Sequence, residues 1–255
     1  MLSDPYDIVI VGAGIAGPCL AYALATKTSN KRTTPLRIAL LERSFSKPER
    51  IVGEVFLPVG IASLEKIGLT SCLDKIDTVP CPGLQFVRGE QVIMTPFPGR
   101  KEGQLIDNGS FVMALRDRVR ELPNVVMIEA TVTELIEDQQ TRRVTGVRAS
   151  RAGGEPDSYF ADLVVIADGP HSKFRTSILK RLTHTSAPQG YYAAFVVKNV
   201  MLPPAGYITY AVLKGARCTV TYELPNNQYR IQVELRTPPA DIKVCNPAWL
   251  HDRSH

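Results

Sequence analysis

Between residues 12 and 17 the chain reads Gly12-Ala13-Gly14-Ile15-Ala16-Gly17, three glycines in the spacing GxGxxG. Each glycine has its own reason to be there. Gly12 makes a tight turn, Gly14 lets a phosphate approach the backbone, and Gly17 lets a helix pack closely on a strand. The N–H groups at the start of the following helix then face the phosphate charge. Further on, Glu42 closes the run Leu40-Leu41-Glu42-Arg43. A carboxylate there can accept both hydroxyls of an adenosine ribose, and it repels a 2′-phosphate. The chemistry expected is recognition of a dinucleotide, for which NAD and FAD read alike. The plainer alternatives are a glycine-rich turn of an unrelated α/β protein and a solvent-facing glutamate at a strand end.

Two further places carry polar groups in a suggestive setting. Arg116 lies on the amphipathic stretch Phe111–Leu122, and Asp168-Gly169 opens the run Asp168-Gly169-Pro170-His171-Ser172-Lys173-Phe174-Arg175. Taken alone, Arg116 reads as an exposed helix arginine and Asp168-Gly169 as a turn-forming pair. The four histidines suggest no Ser/His/Asp or Cys/His set, and two of them, His251 and His255, fall in the tail.

These residues need a scaffold, and the pattern supplies one. Tyr6–Val11 is an apolar, β-branched run that reads as a buried strand. Gly14 to about Thr28 reads as a helix whose small residues Ala16, Ala21, Ala23 and Ala25 face the strand. A polar loop, Lys27–Pro35, leads to a second buried strand at Leu36–Leu41. The unit is βαβ, and its long loop accounts for the extra distance between the glycines and Glu42. Pro58–Ile67 reads as a short helix with proline at its first position and Ile61, Leu64 and Ile67 at helical spacing. From Pro80 to Pro98 the composition shifts to proline, glycine and short apolar runs, which suggests strands of a different layer. Phe111–Leu122 returns to helix, with Phe111, Leu115, Val119 and Leu122 on one face, Ser110 as its cap and Pro123 as its stop. Strands are expected at Val125–Ile128, Thr131–Ile136, Val144–Arg148 and Leu163–Ala167. A basic helix then follows Asp168-Gly169, and strand-like runs occur at Tyr191–Val197, Ile208–Leu213, Thr219–Glu223 and Tyr229–Leu235.

Composition narrows the class. Hydrophobic residues make up 44% and charged residues 22%, which is globular and argues against disorder. No run of 18 apolar residues is present to cross a membrane as a helix. The first residues lack a basic region and run into glycines, so a cleaved secretory signal is not expected. Cys19, Cys72, Cys81, Cys218 and Cys245 are odd in number and lack CxxC spacing, which suits reduced thiols in a cytosol-facing protein better than disulfides or zinc. Seven basic residues lie between Lys27 and Arg50, with a single aromatic, Phe45, among them. They could meet phosphates or an anionic membrane surface, but with so little aromatic interleaving a solvated face is the expected reading.

Three motifs separate the dinucleotide readings. Lys47-Pro48-Glu49-Arg50-Ile51-Val52-Gly53-Glu54, followed by Pro58 and Gly60, resembles the stretch after the second strand in fungal squalene epoxidases. Asp168 to Arg175 is similar to the DG motif of flavoprotein monooxygenases of the para-hydroxybenzoate hydroxylase type, in its squalene epoxidase form. Asn108-Gly109-Ser110-Phe111 through Leu115-Arg116, then Leu122-Pro123-Asn124, resembles the helix that brings an arginine to the flavin in that family. Their order matches over about Asp4 to Leu235.

The resemblance implies an α/β fold, with a Rossmann-like FAD-binding domain of the para-hydroxybenzoate hydroxylase type, an interleaved β-sheet substrate domain, and the C-terminal part absent. The implied segments are FAD-binding βαβ over 1–78, substrate-domain strands over 79–105 and the FAD-binding domain continued over 106–186. A substrate-domain sheet over 187–240 and a divergent tail over 241–255 complete the chain. It implies Gly12, Gly14 and Gly17 at the FAD pyrophosphate, Glu42 at its ribose with Arg43 beside it, and Glu54, Arg116, Asp168, Gly169 and Arg175 as further cofactor contacts. The implied reaction puts one oxygen atom from O2 into an alkene of a terpenoid or prenylated substrate. NADPH or a flavin-reducing partner supplies the electrons, and no side chain performs the oxidation. It also implies a place in the cytoplasm or on the cytosolic face of the endoplasmic reticulum membrane.

Two positions depart from the family. Its glutamine before the proline at Pro58 is Leu57 here, and its tyrosine near Gly83 is Leu84. Losing both partners of a polar pair is nearly neutral, whereas losing one leaves the other unsatisfied. The double change therefore reads as an altered substrate pocket and puts squalene itself in doubt. The rival readings are a non-catalytic paralogue that keeps the fold and an NAD(P)-binding reductase.

Overall fold

Val9, Ile10, Ile38, Ala39, Leu40 and Leu41 have no exposed surface at all. Such continuous apolar runs form parallel strands covered on both faces, and this is what the chain builds around them. The computed structural model describes residues 5–27, 34–151, 153–175, 191–202, 204–213 and 217–235. In chain order the elements are β1 (Tyr6–Val11), α1 (Ala16–Lys27), β2 (Ile38–Glu42), β3 (Val55–Phe56), α2 (Pro58–Ile67) and α3 (Ser71–Asp74). Next come β4 (Thr78–Cys81), β5 (Gly83–Arg88), β6 (Gln91–Pro96), β7 (Gly103–Ile106), α4 (Asn108–Arg120), β8 (Val125–Glu129), β9 (Thr131–Glu137), β10 (Val144–Ser150) and β11 (Pro156–Ile166). The last four strands are β12 (Tyr191–Lys198), β13 (Ile208–Leu213), β14 (Arg217–Leu224) and β15 (Gln228–Leu235).

The chain forms two units and passes repeatedly between them. The first comprises Met1–Pro48, Ile67–Cys72 and Val112–Leu179. Its six-stranded sheet has the order β8-β2-β1-β11-β10-β9. β1 is paired in parallel on both sides, Val9 opposite Ala39 of β2 and opposite Val164 of β11. Strand order therefore reverses around β1, and in open α/β sheets the crevice at the carboxyl end of such a strand is where ligands bind. β11 begins at Pro156, earlier than the expected Leu163. Its polar first half pairs antiparallel with β10, Gly146 opposite Phe160, and its apolar second half pairs in parallel with β1. One strand with two kinds of partner has no single sequence pattern.

The second unit comprises Glu49–Lys66, Leu73–Phe111 and Lys180–His255. It holds a six-stranded sheet, β12-β15-β14-β13-β5-β6, and a three-stranded sheet, β3-β7-β4. Cys81, Leu105, Ile208, Tyr222 and Leu224 pack together as its core, with Leu84 and Tyr210 against them.

Three local expectations need correction. α1 starts at Ala16, not Gly14, and Ala16 is exposed; Gly17, Pro18, Ala21, Tyr22 and Ala25 form its buried side. α4 starts three residues before Phe111, and its cap is Asp107, not Ser110. The Asp107 carboxylate accepts the Ser110 N–H and hydroxyl, both at 2.7 Å, and so satisfies a helix-end donor. α3, β3 and β7 were not foreseen, being two to four residues long. The basic helix expected after Asp168-Gly169 lies, beyond Arg175, outside the described residues, as do Cys245 and the tail. Among the described residues no helix is long and apolar enough to cross a membrane. Among the described residues, Cys19, Cys72, Cys81 and Cys218 are not joined in disulfides.

Candidate dinucleotide site

The site forms where β1 runs out. Gly12 takes φ = 102°, and a Cβ there would stand 2.5 Å from the Ala167 carbonyl oxygen and 2.8 Å from Asp168 Cα. The Gly12 N–H donates to the Leu41 carbonyl at 2.7 Å, and the Ala167 N–H to the Val11 carbonyl at 2.8 Å. Two motifs separated by about 150 residues of sequence therefore share one backbone crossing, which admits only glycine at position 12. Gly17 is buried by the start of α1, and a Cβ on it would lie 1.9 Å from the Gly12 carbonyl oxygen. Gly14 differs from both, because no atom lies within 4 Å of the place its Cβ would take. The open position is the middle glycine, the one through which a phosphate reaches the backbone. The first N–H groups of α1 have no partner within the helix.

Glu42 reaches back to this loop. Its Oε2 accepts the Ala13 N–H at 2.7 Å, and its Oε1 accepts the Ser44 N–H at 3.4 Å. Arg116 comes from α4, where Leu115 and Val119 are fully buried and anchor the helix. Its side chain is 4% exposed, far from the exposed helix arginine that the sequence alone suggested. Nε donates to the Ala13 carbonyl at 2.8 Å and Nη1 to the Ser46 carbonyl at 3.0 Å, and Nη2 stands 3.9 Å from Glu42 Oε2. The guanidinium also lies over the Phe45 ring, 5.6 Å from its centroid. Burial pushes its pKa down and the Glu42 carboxylate opposes that; an arginine remains charged all the same. One cation thus ties the glycine loop to the segment after β2.

The remaining candidates lie around the same strand ends or in the other unit. Asp168 is half-buried, and Gly169 is exposed with φ = 85°. Arg175 closes this turn on itself, donating to the Pro170 carbonyl at 3.0 Å and the Gly169 carbonyl at 3.1 Å. Arg43 is exposed. In the second unit Leu57, just ahead of α2, is 44% exposed. Leu84 on β5 is half-buried, pairs with Ile208 and packs on the core.

Glu54 has a different setting from the cofactor contact implied for it. It is 2% exposed, and both carboxylate oxygens are engaged inside the second unit. Oε1 accepts Arg230 Nη2 at 2.6 Å; Oε2 accepts Arg230 Nε at 2.9 Å and the Tyr222 hydroxyl at 2.8 Å. The sequence reading did not single out Arg230 or Tyr222. The sequence holds no signal for them: Arg230 alternates with Gln228, Gln232 and Glu234 on the polar side of β15, and only the fold buries it.

Which residues can hold a dinucleotide follows from this geometry. The open Gly14 and the start of α1 are where a pyrophosphate could lie, and Glu42 at the end of β2 could receive a ribose.

The comparisons agree with this architecture. No family model matches the chain. The squalene epoxidase of Schizosaccharomyces pombe is 32% identical over 241 residues, which covers 91% of this chain and 50% of that protein. Squalene monooxygenase 1,2 of Brassica napus is 32% identical over 235 residues, covering 90% of this chain and 43% of its own. The chain therefore spans about half the length of the curated relatives it matches. Among solved structures, PqsL of Pseudomonas aeruginosa, described as a probable FAD-dependent monooxygenase, superposes with a TM-score of 0.74. It is 18% identical, and the match covers 91% of this chain and 61% of that one. The fold is shared with that protein, an α/β architecture with an interleaved β-sheet unit. Over some nine-tenths of its length the chain is similar in sequence to squalene epoxidases, of which it spans about half.

Proposed function

We propose that this chain is the cofactor-binding part of an FAD-dependent monooxygenase that uses NADPH and puts one oxygen atom from O2 into an alkene of a terpenoid or prenylated compound. The observation that carries the reading is the crossing of Gly12 with Ala167 and Asp168, with Glu42 and Arg116 fastened to the same loop. When bound, FAD supplies the oxygen-activating chemistry, and the protein's task is to hold it and to keep water away.

In this reading Gly12, Gly14 and Gly17 shape the loop that receives the pyrophosphate, and Gly14 leaves the room for it. Glu42 accepts the adenosine ribose hydroxyls through the oxygen that the Ala13 N–H does not occupy. Its charge disfavours a 2′-phosphate at this place, so NADPH serves as the electron donor and not as the resident dinucleotide. Arg116 fixes Glu42 and the loop and supplies positive charge behind the pyrophosphate. Asp168, Gly169 and Arg175 form the turn that bounds the other side, and Arg43 flanks the ribose. Leu57 and Leu84 belong to an apolar substrate wall, which favours a hydrocarbon over a polar substrate.

The test is the absorption spectrum of purified protein titrated with FAD, followed by NADPH oxidation with terpenoid alkenes. Visible flavin bands that survive gel filtration, and product formed with NADPH consumed, would bear the proposal out. Flavin retained without turnover would identify a non-catalytic relative. Retention of NAD in place of FAD would refute the proposal.

A further inference from the structure

The strongest unexplained feature of the second unit is the buried charge cluster around Glu54. Glu54, Tyr222 and Arg230 are 2%, 4% and 7% exposed. Burying an ion pair is costly, and replacing one by apolar side chains of similar volume is often neutral or stabilising. Stability alone therefore does not explain the cluster. Direction does: a guanidinium fork meeting a carboxylate with two parallel N–H donors fixes the orientation of both. The carboxylate belongs to the short segment ahead of Leu57, and the fork belongs to β15 of the six-stranded sheet.

The rest of the segment is fastened in the same neighbourhood. The Gln232 amide donates to the Tyr222 hydroxyl at 3.2 Å and to the Ile51 carbonyl at 3.5 Å. Asn108 Nδ2 donates to the Gly53 carbonyl at 3.0 Å, and the Ile106 N–H donates to the Glu54 carbonyl at 2.9 Å. Val55 and Phe56 pair with Leu105 and Gln104 for only two residues. A two-residue strand cannot hold a register by itself. Burial pushes the Tyr222 hydroxyl up, with the Glu54 charge adding to it, so the phenol keeps its proton and stays a donor.

We propose that Glu54, Arg230 and Tyr222 are positioning residues, which lock the 51–57 segment onto the six-stranded sheet and so set where Leu57 and the start of α2 stand. Their bearing on substrate selection rests on the proposed function, in which Leu57 is part of the substrate wall; the lock itself does not. Glu54 acts through the backbone it carries, and its oxygens are committed to Arg230 and Tyr222.

The experiment is amide hydrogen exchange on the full 255-residue chain without cofactor, so that its result is independent of whether FAD binds or any alkene is oxidised. Four proteins are compared: wild type, Glu54→Gln, Arg230→Lys and the double apolar variant Glu54→Met with Arg230→Met. The expected result is exchange at amides 51–57 faster by about tenfold or more, as for loss of a hydrogen bond to a charged group. Amides in β13 and β14 should change by less than about twofold. The double variant removes both charges and keeps volume, so it folds even if a single variant strands a charge, and it too should show the fast segment. Unchanged exchange at 51–57 in the double variant, or an equal rise across the whole sheet, overturns the proposal, because the cluster would then be packing alone.

Discussion

Gly14→Ala and Gly17→Ala differ by one methyl group each and should fail in opposite ways. At Gly17 the new Cβ would sit 1.9 Å from the Gly12 carbonyl oxygen and 3.3 Å from Leu40 Cδ1. Contacts below about 3 Å are repulsive, so α1 must withdraw from the β1 end by about 1 Å, and overpacking of this kind costs about 1–3 kcal/mol. The obstacle is backbone, which cannot rotate away, so the upper end of that range is expected. With a urea slope of about 2 kcal/mol per molar, the midpoint should fall by about 1.5 M. At Gly14 nothing lies within 4 Å of the added methyl. Stability should then stay within about 0.5 kcal/mol, as for an unobstructed surface change. Binding should not stay: the methyl occupies the approach of the phosphate, and FAD or ADP affinity should drop by about tenfold or more, the equivalent of about 1.4 kcal/mol. Urea melts followed by circular dichroism and titrations followed by flavin fluorescence measure the two quantities separately. A Gly14→Ala protein that binds ADP as well as wild type would refute the assignment of this loop to a phosphate. A Gly17→Ala protein with an unchanged midpoint would refute the packing argument.

Glu42→Arg should weaken FAD binding by about tenfold or more, because a charged hydrogen bond is worth about 1.5–3 kcal/mol; equal retention of flavin would sink the ribose role. Arg116→Met leaves the Ala13 and Ser46 carbonyls without their donor and should cost about 1.5–3 kcal/mol in a urea melt. Restoring Gln at Leu57 and Tyr at Leu84 should not create squalene epoxidation, since a pocket is set by many walls; squalene turnover by the double variant would show the reverse. The Cys19 thiol is pushed up to about 11, from an ordinary 9.0, by burial and secondly by Cys72. It should resist iodoacetamide at pH 8. The unfolded chain gives up this proton first, so the stabilisation is whole below pH 9 and is lost as pH rises towards about 11; a urea midpoint flat across that window would contradict the burial.

The primary sequence determined the parts whose physics is local. The apolar β-branched run at Tyr6–Val11, the three glycines and the acid at Glu42 announce a strand, a turn, a helix and a second strand, and the fold keeps each of them. Pro58 and the spacing of Ile61, Leu64 and Ile67 set α2 to the residue. Ordered motifs also carry the chain's similarity to the squalene epoxidases. Tertiary structure alone decided which distant residues meet. That Gly12 lies against Ala167 and Asp168, that Arg116 is buried against Ala13, and that Glu54 pairs with Arg230 depend on strand order, and strand order depends on packing spread over the whole chain. The same reason hid the two-partner strand β11 and the two-residue strand β3. Their hydrogen bonds are supplied by neighbours, so their own residues carry too little pattern to reveal them.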